Sequence, residues 1–173
     1  MKTVLIVEDE KMIRQGIKTM IMRSGVPIET IMECNNGETA LEILKEQEID
    51  VMFTDIRMPK MDGIELVQKM QSLEHIPLTV AISGYDDFAY AVEMLRNGVR
   101  EYILKPIERE KITEILKKLN AEIESRKEKE ENNQKIGYQQ MRHLMLSDEI
   151  SGEEQRTIES QYADHFYTGN YYV

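Results

Sequence analysis

Residues 4–10 read VLIVEDE: four uninterrupted apolar residues, three of them β-branched, run straight into three acids. A short run of this kind fits a strand buried on both faces, as strands of a parallel sheet are. The phrase recurs along the chain. Val51–Thr54 leads to Asp55, Leu78–Ser83 leads to Gly84, and Tyr102–Leu104 leads to Lys105. A further strand is expected around Thr30–Cys34. Between these runs the apolar spacing turns helical. Met12, Ile13, Ile17, Met20 and Ile21 share one face, and Gly25 and Pro27 stop that helix. Asn35-Asn36-Gly37 is turn chemistry, and a second helix is expected over 37–47. Asp62-Gly63 opens a third helix. Asp86 or Asp87 caps a fourth, which ends near Asn97-Gly98.

Strand and helix therefore alternate five times within about 120 residues, which predicts right-handed βαβ units around a parallel sheet. The expected fold class is α/β: a flavodoxin-like, doubly wound five-stranded parallel sheet of order 2-1-3-4-5 with a C-terminal helical extension. In such sheets the ligand site lies beyond the carboxyl ends of the strands. Glu8, Asp9, Asp55, Ser83 and Lys105 all fall there.

The composition narrows the classes. The 173 residues are 41% hydrophobic and 31% charged, enough apolar material for a core. The net charge of −10 argues against this chain coating nucleic acid or an anionic membrane. One cysteine, Cys34, excludes an internal disulfide and a cysteine-based zinc site. No apolar run approaches the ~20 residues of a membrane span, and the apolar run after Met1 is too short for a signal peptide. No membrane contact and a cytoplasmic location are expected.

From Ile107 the pattern changes. Ile112, Ile115, Leu116, Leu119 and Ile123 keep helical spacing, whereas residues 124–135 (ESRKEKEENNQK) carry no apolar side chain. That stretch reads equally as a solvated helix or a flexible linker. Apolar spacing resumes at Met141, Leu144 and Met145. The aromatic end, with Tyr162, Phe166, Tyr167, Tyr171 and Tyr172, reads as the first strand of a further domain. The expected division is 1–122, a charged helical linker at 123–145, and the start of a truncated middle region at 146–173.

Three carboxylates at adjacent strand ends would converge and repel one another, and a divalent cation relieves that repulsion. Magnesium suits the set, because it takes one or two carboxylates and leaves positions for phosphoryl oxygens. Lys105 can pair with a carboxylate or a phosphoryl oxygen, and Ser83 adds a hydroxyl. Together these make a phosphoryl-transfer constellation with Asp55 as nucleophile. Each piece alone has a plainer reading. An acid after a strand is more often a helix cap, Lys-Pro more often a turn, Ser-Gly more often a loop. Their joint occurrence at the ends of the expected strands carries the inference.

At these residues the chain resembles the receiver domains of bacterial two-component response regulators. The matching motifs are VLIVEDE at 4–10, TDIRMPKMDGIEL at 54–66, ISGYDD at 82–87 and YILKP at 102–106. The resemblance covers residues 1–122. It implies that Asp55 accepts a phosphoryl group from a sensor histidine kinase. It implies that Asp9, Asp55 and the backbone carbonyl of Arg57 bind Mg2+, with Glu8 helping through water. Lys105 would contact the phosphoryl group, and Ser83 would turn toward it while Tyr102 changes rotamer. Pro106 would follow a cis bond. Glu8 stands where aspartate is commoner, Ser83 where threonine is frequent, and Gly84 where alanine is common; no needed group is lost. The wording of 82–106 is most similar to receivers of AraC-type transcriptional regulators. DNA binding would then belong to a C-terminal domain absent from this chain, and phosphorylation would favour a homodimer. The resemblance implies a phosphoacceptor regulator rather than an enzyme. Two other classes share part of this pattern: a non-phosphorylated interaction module, and a haloacid-dehalogenase-like phosphatase. The phosphatase needs a second acid two residues after the nucleophile, where this chain has Arg57.

Overall fold

The structure is a computed structural model that describes residues 1–84 and 88–146. It contains β1 (Thr3–Val7), α1 (Lys11–Met22), β2 (Thr30–Cys34), α2 (Gly37–Glu46) and β3 (Val51–Asp55). These are followed by α3 (Gly63–Met70), β4 (Leu78–Ser83), α4 (Phe88–Arg96), β5 (Glu101–Leu104) and α5 (Arg109–Leu146). The strands form one parallel sheet of order β2-β1-β3-β4-β5, the order expected from the sequence.

Strand alternation divides the core between the two faces of the sheet. Val4 and Ile6 join Phe53, Val80 and Ile103 on the face covered by Ile17 and Ile21 of α1 and by Ile112, Leu116 and Leu119 of α5. Leu5 and Val7 join Met52 and Ala81 on the face covered by α2, α3 and α4, through Leu44, Leu66, Val67 and Met94. The central strands β1, β3 and β4 are therefore buried on both sides, which is why they read as mostly apolar runs without regular alternation.

Local chemistry starts and stops the helices. The Asn36 side chain accepts from Thr39 N–H at 2.9 Å and caps α2. Asp62 accepts from Glu65 N–H at 2.8 Å and caps α3. Gly25 and Gly98 follow α1 and α4 with φ of +78° and +91°, a backbone region that favours glycine. The cap expected from Asp86 or Asp87 lies outside the described residues, as does the aromatic terminus. Residue by residue the expected boundaries shift slightly. Asp55 is the last residue of β3 rather than the residue after it, and β5 begins at Glu101.

Two units divide the chain, the first running over Met1–Glu124 and the second starting at Ser125. Residues 124–135 are helical throughout as part of α5. Of the two readings open for that stretch, the solvated helix is the one observed. Glu, Lys, Arg and Gln are good helix formers, and no glycine or proline interrupts them before Gly137.

Gly63 locks the fold to the site. Its N–H donates to Ile56 O at 2.7 Å, and a Cβ built there would lie 2.2 Å from Asp55 O. Gly16, inside α1, has nothing within 4 Å of an added Cβ. The two glycines should therefore respond oppositely to alanine. Gly63→Ala should cost ~1–3 kcal/mol through forced displacement of the β3 end, whereas Gly16→Ala should gain ~0.5–1 kcal/mol from helix propensity. Urea-unfolding midpoints measure both, and equal signs would contradict the packing described.

Candidate functional site

The carboxyl ends of β1, β3, β4 and β5 bring Glu8, Asp9, Asp55, Ser83 and Lys105 toward one another. Glu8 is fully buried, Asp55 is buried, and Asp9 is exposed. One carboxylate oxygen from each of the three acids lies within 4.8 Å of the others. The Lys105 ammonium sits between two of them. It donates to Asp55 Oδ2 at 3.2 Å and lies 3.4 Å from Glu8 Oε2. Asp55 Oδ1 accepts from its neighbour's N–H, that of Ile56, at 2.8 Å, which aims the carboxyl group. Glu8 Oε1 accepts from Glu10 N–H at 3.2 Å, whereas Glu8 Oε2 has no hydrogen-bond partner among the described residues.

The electrostatics follow from crowding acids out of water. Burial first, and then the Asp55 charge, push the Glu8 carboxyl up to about 7. Burial also raises Asp55 above the usual carboxylate range, opposed by the neighbouring Lys105. Burial disfavours the Lys105 charge, yet the attraction of Asp55 and Glu8 outweighs it and holds the ammonium above its ordinary value. One cation thus serves more negative charge than it can neutralise, and a buried acceptor, Glu8 Oε2, is left over.

That leftover acceptor and the all-oxygen donor set fit a hard divalent cation such as Mg2+. The carboxylates of Asp9, Asp55 and Glu8 are the groups available to it. The role expected for the Arg57 backbone carbonyl rests on the resemblance alone. The Arg57 guanidinium instead lies over the Tyr90 ring of α4, 5.4 Å from its centroid.

Ser83 is fully buried at the end of β4. Its Oγ donates to Gly84 O at 3.0 Å and is also hydrogen-bonded to the Tyr102 hydroxyl. The two expected switch residues are therefore joined directly, with the tyrosine turned inward. The Lys105–Pro106 bond is cis. Cys34 is buried, and burial pushes its thiol up to about 11, which suits a small hydrophobe and not a nucleophile. Sequence reading expected Lys105 to pair with a carboxylate but missed three features: the full burial of its partner Glu8, the abutment of Gly63 on Asp55, and the contact of Arg57 with Tyr90. Only the second left a local signal, in the Asp62-Gly63 pair.

The raised Glu8 value has a consequence for stability. Between an ordinary glutamate value of 4.5 and the folded value of about 7, the native state binds the proton that the unfolded chain releases. The sign is fixed by linkage: this group's contribution falls as pH rises through that window. Without divalent cation, Glu8→Gln should therefore gain stability relative to the parent as pH increases from 4.5 to 7.5, and the gain should shrink in Mg2+. Thermal unfolding midpoints across the range measure it. A parent-minus-variant difference that does not change with pH would contradict the assignment.

The family model described as the response regulator receiver domain matches residues 4–117. The chain is 31% identical over 121 residues to an uncharacterized response regulatory protein of Vibrio cholerae, an alignment spanning 70% of this chain and 46% of that protein. It is 31% identical over 123 residues to the uncharacterized transcriptional regulatory protein YesN of Bacillus subtilis, covering 71% and 33% of the two chains. The chain thus spans less than half the length of these curated relatives. Among solved structures it is similar to the receiver domain of AraT, a response regulator from Geobacillus stearothermophilus. That match has a TM-score of 0.63 and 34% identity, over 72% of this chain and 97% of the other. It is also similar to a two-component transcriptional regulator AraC from Clostridium phytofermentans. Here the TM-score is 0.65 and the identity 32%, over 75% and 99% of the chains. With the family match spanning residues 4–117 and the acidic cleft at the expected strand ends, this chain belongs to the response regulator receiver family.

Proposed function

We propose that this chain is the phosphoacceptor part of a two-component transcriptional regulator, with Asp55 receiving a phosphoryl group from a sensor histidine kinase. The observation that carries the reading is the Lys105 ammonium held 3.2 Å from Asp55 Oδ2 and 3.4 Å from Glu8 Oε2, with Asp9 completing the acid cluster. An Asp55 carboxylate oxygen attacks phosphorus, the donor's P–N bond breaks, and the departing imidazole nitrogen takes a proton. The product is an acyl phosphate. Lys105 is placed to pair with the phosphoryl oxygens as they replace the carboxylate charge. Mg2+ bound by Asp9, Asp55 and the Arg57 carbonyl, with Glu8 acting through water, would supply neutralisation of the incoming charge. The chemistry serves a regulator's own modification and not turnover of a substrate.

Ser83 gives up Gly84 O to donate to the phosphoryl group, and Tyr102 follows it through their shared hydrogen bond. The rearranged face around α4 and β5 then favours a homodimer. Phe88 (75% exposed), Leu95 (50%), Leu104 (47%) and Tyr90 (42%) are large apolar side chains open to water on those two elements, which supports that surface. Residues 1–122 form the receiver, 123–145 the linker and 146–173 the start of a middle region, with DNA contacted by a C-terminal domain of the AraC type. A cytoplasmic location fits a kinase partner. Among the described residues no helix is long and apolar enough to cross a membrane.

Acetyl phosphate with Mg2+ should give a phosphoryl adduct on the intact chain by mass spectrometry. Asp55→Asn should abolish it with an unchanged far-ultraviolet dichroism spectrum, and Asp9→Ala should reduce it to the level seen with excess chelator. The adduct-bearing sample should sediment as a dimer and the untreated one as a monomer. An adduct of equal yield in Asp55→Asn contradicts the acceptor, and a monomer in both samples contradicts the dimer.

A further inference from the structure

The helix α4 is weakly held compared with its neighbour. Of its nine residues only Ala91 and Met94 are buried, against five of eight in α3. Phe88 and Leu95 lie largely in water. Gln68 Nε2 of α3 reaches Glu93 Oε1 of α4 at 3.5 Å, and just past the two helices Gln71 Nε2 donates to Asn97 O at 3.1 Å, which ties the far end of α4. At its other end, next to the acidic cleft, the contact is of a different kind. The Arg57 guanidinium sits 5.4 Å from the Tyr90 ring centroid, and Tyr90 is 42% exposed. Arg57 lies in the loop two residues after Asp55, so this stack joins the loop that follows the acceptor to the first turn of α4.

We infer that the stack of Arg57 on Tyr90 is a latch that holds α4 in its resting position and is opposed by negative charge on Asp55. The inference rests on the phosphoacceptor reading. A phosphoryl group adds about −1.5 to −2 charge. Guanidinium groups form charge-assisted, frequently bidentate bonds with phosphoryl oxygens, which outweigh an exposed contact with an aromatic face. A new anion two residues away therefore draws Arg57 from the ring. The stack stabilises the resting state and not the charged one, and this difference is what a population shift requires. Tyr90 is then a positioning residue, acting on the acceptor through Arg57. Exposed cation–π contacts are worth about a two- to fivefold change in an equilibrium constant, so the latch sets a threshold and leaves the reaction itself intact.

The test uses beryllofluoride with Mg2+ as the phosphoryl mimic, its bound form followed by fluorine NMR on the full chain. Tyr90→Leu should tighten beryllofluoride binding by about two- to fivefold, because the competing resting contact is gone. Tyr90→Phe keeps an aromatic face and should bind as the parent does. The effect of Arg57→Gln should differ by that same factor in the presence and absence of Tyr90→Leu, a coupling that isolates the pair from every other contact of either residue. Unchanged binding by Tyr90→Leu beside normal binding by the parent overturns the latch alone, as does a Tyr90→Phe variant that behaves like Tyr90→Leu. Additive effects of the two substitutions overturn it too. If the parent chain binds no beryllofluoride, the phosphoacceptor reading falls and the latch falls with it.

Discussion

One ammonium shared between two buried acids organises this molecule. Lys105 reaches both Asp55 and Glu8 from the end of an edge strand, and it can balance only one of them. The acids are there because β1 and β3 are adjacent central strands in register, with Val7 opposite Thr54, so the residues that follow emerge side by side. Lys105 arrives from two strands away, across β4, and its N–H donates to Ser83 O at 2.8 Å. The sheet order is thus a precondition of the charge arrangement. A different order would leave the same residues at strand ends without bringing them together.

The imbalance explains why the site invites further charge partners. Removing carboxylates from water disfavours ionisation, and mutual repulsion adds to it. The protein meets this by holding Glu8 at the edge of ionisation near neutral pH, while Glu8 Oε2 keeps only the shared Lys105 ammonium at 3.4 Å and no close hydrogen bond among the described residues. A divalent cation would satisfy both. Such a site is metastable by construction, and its charge state can be changed by a metal or a phosphoryl group more readily than that of a balanced ion pair. The residues arranged around it, Ser83 with Tyr102 and Arg57 with Tyr90, are positioned to feel that change.

Much of this was legible in the sequence, for physical reasons that differ by element. The central strands announce themselves because burial on both faces demands mostly apolar runs, and the observed strand order is one that five alternating units fit. The caps at Asn36 and Asp62 are local chemistry and need no tertiary knowledge. The helical state of 124–135 was not decided by apolar periodicity, since that stretch has none; propensity favours the helix that is observed. The buried Glu8–Lys105 contact was hidden because sequence spacing does not report side-chain depth. Arg57 over Tyr90 was hidden because cation–π partners carry no spacing rule across elements. Asp55 and Lys105 are each a common loop residue alone, and only the sheet brings their side chains to 3.2 Å.

The acid cluster holds unbalanced charge that a divalent cation would relieve. That relief is tested most directly by calorimetric titration of Mg2+ near pH 7 in two buffers of different ionisation enthalpy. With Glu8 poised at about 7, the cation should displace its proton, so the observed heats should differ between buffers by a measurable proton release. The release should vanish in Glu8→Gln while binding persists. Equal heats in both buffers for the parent chain, or no binding at millimolar Mg2+, would contradict the account.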